Sequence, residues 1–378
     1  MMLRQLRDFF AARGHATTVI VGMDDAQPVL SGYQVAPGTA TKGWRTRLAE
    51  YKACVMGTRP DVVYALSGRE EMDLLRFLEC ARVRHCFSLE QQQRVDMFYW
   101  LRQMAGLLEG ISANTPDVLE EVARRGLMSG KALLGPYAIN SLFFSLPDTA
   151  PPADSTRPLE VCFAARFEAF QKRAHWLPEI DRRCRAAGRK FSWHLYGQGE
   201  LETQLRAAMP ADSTVFHGWV DNAQMAARLP AHDLFFLCSL WEGLPIAMVE
   251  AMLCGLAVVA PAIPAGITFV LQKGGGWTYA ASSPRAAAEA LLQGTADLEA
   301  LRQKRRQAQR IARELFRPAL VEEQMLQLEA QLLDLRCNGR RLDLTRAPKF
   351  HAVPLRTFLR RKVGALMGSG RPGKRPGP

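Results

Sequence analysis

The sequence predicts an α/β protein of two domains built on parallel sheets, and three observations carry that prediction. Two unbroken apolar runs, Leu234–Cys238 and Leu256–Ala260, flank a helix-like stretch, the pattern of parallel strands buried on both faces. The length of 378 residues suits two domains rather than one. Between them, residues 147–158 hold four Pro and two Asp, the composition of a linker. The hydrophobic fraction of 48% is ordinary for a globular chain. The expected division is therefore residues 1–146, a linker over 147–158, a second domain over 159–335, and a tail over 336–378.

In chain order, the family resemblance set out below implies a helix that begins at Leu3-Arg4-Gln5-Leu6 and ends near Arg13-Gly14-His15, before a strand over Thr17–Val21. Pro60–Leu66 reads as a buried strand and Arg82–Phe87 as a weaker one. Gly110–Thr115 is a strand closed by a helix cap, with Thr115 as the N-cap. Pro136–Asn140 is expected as the strand and turn entering the linker. In the second half, Leu159–Ala164 is a short strand, followed by a helix through Trp176 to Ala187. Phe191–Tyr196 alternates as a strand and turns at Gly197-x-Gly199 into a helix; Val215–Val220 is a short strand and turn. Residues 251–271 hold about twenty uncharged, mainly apolar positions. Gly255, Pro261, Pro264 and Gly266 interrupt them, so strand plus loop is expected rather than a membrane span.

The densest chemistry lies in Trp241–Gly255. Glu242 and Glu250 enter an apolar segment with seven residues between them, and an unpartnered buried carboxylate is costly. A helix is expected to start at Pro245, since proline suits a first helical position. Free backbone N–H groups at Gly243 and Leu244 would then face the cleft above the strand ends, a ready anion site. Carboxylates accept hydrogen bonds from vicinal diols. Donors for a diphosphate beside acceptors for hydroxyls fit a nucleotide sugar. The plainer reading is a solvated Glu250 on an amphipathic helix and an incidental Glu242.

A second cluster is Arg166, delivered at the end of the strand Leu159–Ala164 where open α/β sheets bind ligands, and Lys172 near the next helix. Two cations there would neutralise a diphosphate; the alternative is a surface pair. The turn Gly197-x-Gly199 is weak on its own. His217-Gly218 leaves two roles open for the histidine, acid/base chemistry or packing, with packing favoured.

Taken together and in this order, these motifs resemble the retaining glycosyltransferases of family 4. That resemblance covers residues 3–330 and implies the GT-B fold, two facing Rossmann-like domains. It implies that Glu242 approaches the donor sugar and Glu250 the ribose hydroxyls. Arg166 and Lys172 match the diphosphate-binding pair, while Gly197, Gly199, His217 and Gly218 border the nucleotide. Family members place a histidine near the donor sugar; His85 is the candidate, with Ser88 as the alternative. The chain departs from the pattern at Gly243-Leu244-Pro245, at Ala165 and Arg173 in place of glycines, and at its start. The first strand and Gly-rich loop are absent, read as an upstream start or a fragment before a native truncation.

The implied reaction moves a sugar from a nucleotide diphosphate sugar to a glycan or lipid-linked acceptor hydroxyl with retention, in polysaccharide or glycolipid biosynthesis. A front-face displacement needs no enzymic nucleophile, no cofactor and no metal. A non-catalytic GT-B-like subunit and a GT-B sugar-nucleotide epimerase are the alternatives.

Eight cysteines show no Cys-x-x-Cys and no His-Cys cluster of zinc spacing, so buried thiols in a reducing cytoplasm are expected. No cleavable signal peptide and no nucleic-acid motif is visible. The net charge of +12 is uneven: from Arg336 onward, twelve Lys or Arg face one acid, Asp343. Residues 354–367 can form a helix with Leu355, Phe358, Leu359, Val363, Leu366 and Met367 on one side, suited to an anionic membrane surface and a peripheral location. A disordered basic tail is the equal alternative, and residues 368–378 are expected to be disordered.

Overall fold

The computed structural model describes residues 2–335 apart from 18–19, 23–33, 37–52, 54, 66–80, 87–100, 103–105, 129, 136–138, 148–155 and 265. The amphipathic stretch 354–367, the basic tail and Ser88 lie outside the described residues.

The N-terminal half opens with α1 (Met2–Ala12), then β1 (Ile20–Gly22) and β2 (Gln34–Ala36), which pair in parallel. Four further parallel strands follow in simple succession: β3 (Val62–Ala65), β4 (Ala81–Cys86), β5 (Gly110–Ala113) and, after α2 (Pro116–Arg124), β6 (Lys131–Leu134). Arg82 and Glu109 form a buried ion pair where β4 meets β5, with Nη2 donating to Oε1 over 2.9 Å. Thr115 holds the N-cap position of α2 in extended backbone, yet its hydroxyl makes no capping bond. Pro116 already removes one N–H from the first turn, so the cap has less to satisfy. Most of the expected strand and turn Pro136–Asn140 lies outside the described residues, and a strand that was not expected, Lys131–Leu134, precedes it. That strand is a four-residue run ending at Gly135, too short to signal itself by alternation.

The second half is a six-stranded parallel sheet with helices on both faces. It contains β7 (Leu159–Ala164), α3 (Leu177–Ala186), β8 (Phe191–Tyr196), α4 (Glu202–Ala208), β9 (Thr214–Gly218) and α5 (Asn222–Arg228). Then come β10 (Leu234–Phe236), α6 (Ile246–Leu253), β11 (Ala257–Pro261), α7 (Gly266–Leu271), β12 (Gly276–Tyr279), α8 (Pro284–Gly294), α9 (Leu298–Phe316) and α10 (Pro318–Leu333). Alternation along the strands divides the core in two, as a two-residue period must. Leu159, Val161, Phe163, Trp193, Leu195, Phe236 and Val259 face α3 and α8. Cys162, Tyr196, Phe235, Val258 and Ala260 face α5, α6 and α9.

The strand order is β9-β8-β7-β10-β11-β12. The chain thus winds outward from β7 in one direction, then returns to β10 and winds the other way. Ligands of such sheets bind beyond the carboxyl ends of the two strands at the reversal. Here those strands are β7, which leads to Arg166, and β10, which leads to Glu242.

The apolar stretch 251–271 is divided into a helix end, β11 and the short α7, so a helix stands where a loop was expected. Among the described residues no helix is long and apolar enough to cross a membrane. α10 leaves the second sheet and lies against α1 and β6. Leu328 and Leu335 share a core with Leu6, Val83 and Leu133, and Glu329 accepts from Arg13 Nε at 2.6 Å and meets His15 Nε2 at 2.6 Å.

Candidate active site

The loop after β7 is shaped by its own backbone donors. Glu168 Oε1 accepts from the N–H of Gln171 at 2.9 Å and of Lys172 at 2.7 Å. That turn sends Lys172 toward the loop after β10, where its Nζ lies 2.6 Å from Glu242 Oε1. The same oxygen accepts from Ser239 Oγ at 2.5 Å. Two more bonds join these loops: Leu240 N–H donates to Gln171 O over 2.7 Å, and Gln171 Nε2 donates to Trp241 O over 3.2 Å. Lys172 and Glu242, predicted from separate motifs, therefore meet at the reversal point. Glu242 is only 5% exposed, so its charge is held by Lys172 and Ser239 rather than by water.

Arg166 is exposed at the same mouth, and its guanidinium donates to Gln171 Oε1 at 3.1 Å. Among the described residues it has no carboxylate partner. Arg173 stands where the family pattern has glycine, and it adopts φ 51°, ψ 36°, the left-handed region that glycine favours. Its Nη1 donates to Ala281 O over 2.9 Å, and its guanidinium lies 4.3 Å over the Trp176 ring. These contacts offset the backbone cost.

Gly197 and Gly199 serve close packing. A Cβ on Gly197 would stand 2.0 Å from Ala165 O, and one on Gly199 would stand 2.5 Å from Phe167 O. The residue before each glycine also grips that loop: Ala165 N–H donates to Tyr196 O, and Phe167 N–H donates to Gln198 O, both at 3.0 Å. The Gly-x-Gly turn thereby sets the height of Arg166 above the sheet.

α6 starts at Ile246, with Pro245 extended as its N-cap, one residue later than expected. The N–H groups of Gly243, Leu244 and Ile246 donate no hydrogen bond within the described residues. Glu250, one turn further in, is 6% exposed, and its Oε1 is buried with no hydrogen-bond partner. Burial pushes its carboxyl up to about 7. A buried acceptor left open beside free helix donors is an invitation to a hydroxyl-bearing ligand.

His217 sits at the end of β9 inside an aromatic stack. Its ring lies 4.2 Å from that of Tyr196 at an angle of 5°, and its Nε2 is 3.0 Å from His194 Nδ1. Burial, then His194 and Arg228, lower its pKa to about 4. Packing is the role this surrounding supports. Gly218 accepts from Gly197 N–H through its carbonyl and has φ +70°. His85 lies on β4 in register with Ser112; its side chain is outside the described set.

Sequence reasoning missed Glu168, Gln171, Ser239 and the ring pair Phe170–Trp241. Ser239 carries a local signal, lying three residues before Glu242. Phe170 is 50% exposed, with its ring edge-on to Trp241 at 4.8 Å.

Two parallel-sheet α/β domains with a doubly wound C-terminal sheet define a GT-B protein. Solved structures of that fold superpose on it. Sucrose-phosphate synthase from Thermosynechococcus elongatus covers 88% of this chain and 92% of its own, with a TM-score of 0.67 and 17% identity. Anabaena HepE in complex with UDP-glucose covers 79% and 85%, with a TM-score of 0.62 and 16% identity. The family profile described as Glycosyl transferases group 1 matches residues 158–297. A putative colanic acid biosynthesis glycosyltransferase, WcaL of Salmonella typhimurium, is 30% identical over 145 residues, 35% of each chain. The amylovoran biosynthesis glycosyltransferase AmsK of Erwinia amylovora is 31% identical over 134 residues, 32% of this chain and 33% of its own. The matched part is thus about a third of the length of these curated relatives.

Proposed function

We propose that this protein is a retaining glycosyltransferase that uses a nucleotide diphosphate sugar as donor and extends a glycan or lipid-linked acceptor in polysaccharide biosynthesis. The observation that carries the reading is the Lys172–Glu242 pair at the strand reversal, with the unsatisfied Glu250 behind it. The names of the relatives WcaL and AmsK support the biosynthetic context.

In this reading Glu250 accepts from the ribose diol, and Glu242 accepts from donor sugar hydroxyls. Arg166, Lys172 and the free N–H groups at Gly243 and Leu244 neutralise the departing diphosphate. Lys172 is already paired in the free protein, so donor binding redistributes that cation between Glu242 and phosphate. The acceptor is positioned from the N-terminal half, and the chain's work is orientation and charge stabilisation. The basic tail adds a membrane contact, and the charge imbalance of the sequence supports it.

Screening UDP-, GDP- and ADP-sugars for thermal stabilisation and hydrolysis tests the donor, and NMR of the product anomer tests retention. Arg166→Ala and Lys172→Ala should each lower kcat by about 100- to 1000-fold. An inverted product anomer, or absence of response to every nucleotide sugar, rejects the reading. Binding of the full chain to anionic vesicles at low salt, lost on deletion from Arg346, tests the tail.

A further inference from the structure

A cluster outside the crevice brings together three side chains of metal-ligand type. Glu160 on β7, His194 on β8 and His232 just before β10 each bring one donor atom within 4.8 Å of the others. Their second atoms are engaged elsewhere. Tyr196 OH is 2.8 Å from His232 Nε2, and His217 Nε2 is 3.0 Å from His194 Nδ1. Glu160 Oε1 lies 3.8 Å from Arg157. These contacts leave His194 Nε2, Glu160 Oε2 and His232 Nδ1 for one another. His194 Nε2 and Glu160 Oε2 stand 2.5 Å apart, with Ser192 Oγ 3.4 Å from the same nitrogen. His232 is 4% exposed, and its Nδ1 is buried with no hydrogen-bond partner. A buried imidazole nitrogen without a partner is costly, and partners on the other ring nitrogens are what orient histidine ligands.

We propose that Glu160, His194 and His232 form a binding site for a divalent zinc-class cation, with water in the fourth position. Two imidazoles and one carboxylate suit Zn²⁺ or Co²⁺ and disfavour Mg²⁺. Around zinc, two donors at tetrahedral angles stand roughly 3.3 Å apart, so His194 and Glu160 separate by under an ångström on binding. His194 then carries its proton on Nδ1 and donates to His217, which releases Arg228 from His217 Nδ1, now 3.2 Å away. Glu160 is four residues upstream of Ala164, about 13 Å along β7 from the crevice. The ion therefore ties β7, β8 and the entry to β10 together, and it stands outside the glycosyl transfer proposed above.

The test uses the tag-free full chain, stripped with EDTA and desalted. Calorimetry with Zn²⁺ alone should give one ion per chain, accompanied by a rise in melting temperature. Co²⁺ should give visible d–d bands of low coordination number without a thiolate charge-transfer band. Glu160→Gln and His232→Ala should each weaken zinc at least 100-fold, and His217→Ala should weaken it about 10- to 100-fold through the oriented His194. Wild-type affinity in the Glu160→Gln, His232→Ala double variant, a thiolate band, or no stoichiometric uptake overturns the site. The cobalt spectrum of the unaltered chain decides the matter even if a variant fails to fold.

Discussion

Glu250 is the residue whose chemistry is most exposed to measurement. Its carboxyl is raised to about 7 by burial. An acid raised on folding contributes stability that is complete below its unfolded value near 4.5 and is lost as pH rises through about 7. The free protein should therefore lose about 3 kcal/mol from this group between those limits. Glu250→Gln should remove that loss, giving a flatter melting profile from pH 5 to 8. The same change should weaken nucleotide binding by about 1.5–3 kcal/mol, because a charge-assisted acceptor becomes an amide. Calorimetry at pH 8 reads the second effect, and unchanged affinity there would remove Glu250 from the site. Glu242 and Glu250 stood out because charge in an apolar stretch is visible along a chain, whereas Lys172, between Gln171 and Arg173, was singled out only through the family resemblance. Gln171 and Phe170 were not, since a polar and an aromatic residue in a loop carry no periodic signal. His232 was hidden differently: Glu160, His194 and His232 are too far apart in sequence for any spacing rule.

At the scale of elements, two devices fix the crevice. The first is the contact of Gly197 and Gly199 with the loop carrying Arg166. Gly197→Ala meets Ala165 O at 2.0 Å from a backbone at φ +135°. Strain alone should cost about 1–3 kcal/mol, and nucleotide affinity should fall with it as Arg166 is displaced. A melting temperature and affinity equal to wild type would mean the two loops are independent. The second device is Asp233, fully buried below β10. It accepts from Arg157 Nη1 at 2.8 Å, Arg305 Nη1 at 2.9 Å and Glu160 N–H at 2.9 Å. Asp233→Ala leaves two guanidinium groups short of their partner, one of them buried on α9, and should cost about 3–5 kcal/mol in denaturant unfolding. Five strands of the second sheet were readable from apolar or alternating runs, but β12, Gly276–Tyr279, was not. Lys131–Leu134 and α7 were missed as well, because four to six residues span too few repeats of a two- or 3.6-residue period to stand out. Thr115 was placed correctly as a position but not as a bond, since sequence gives the residue type and only geometry gives the hydroxyl's direction.

At the scale of the molecule, Glu329 joins the last described helix to the first. Hydrogen bonds from Arg13 and then His15 hold its carboxyl below the ordinary value. A depressed acid contributes stability above its unfolded value near 4.5, lost as pH falls through the lower folded one. Amide exchange in α1 and α10 should therefore rise on acidification below pH 4.5 and already be raised at neutral pH in Glu329→Gln. Equal protection in that variant would show that Leu328 and Leu335 hold the helix unaided. The doubly wound sheet was foreseeable from strand and helix alternation, whereas the return of α10 to the first half was not. An amphipathic helix announces that it has a buried side without saying against what. That return has a mechanical meaning. The polypeptide passes between the two halves twice, once after β6 and once ahead of α10. A door hung on two pins swings about the line through them and resists twisting off that line. Movement of one half against the other should follow that single axis, and cutting the chain at residue 317 should turn a guided swing into a loose tether.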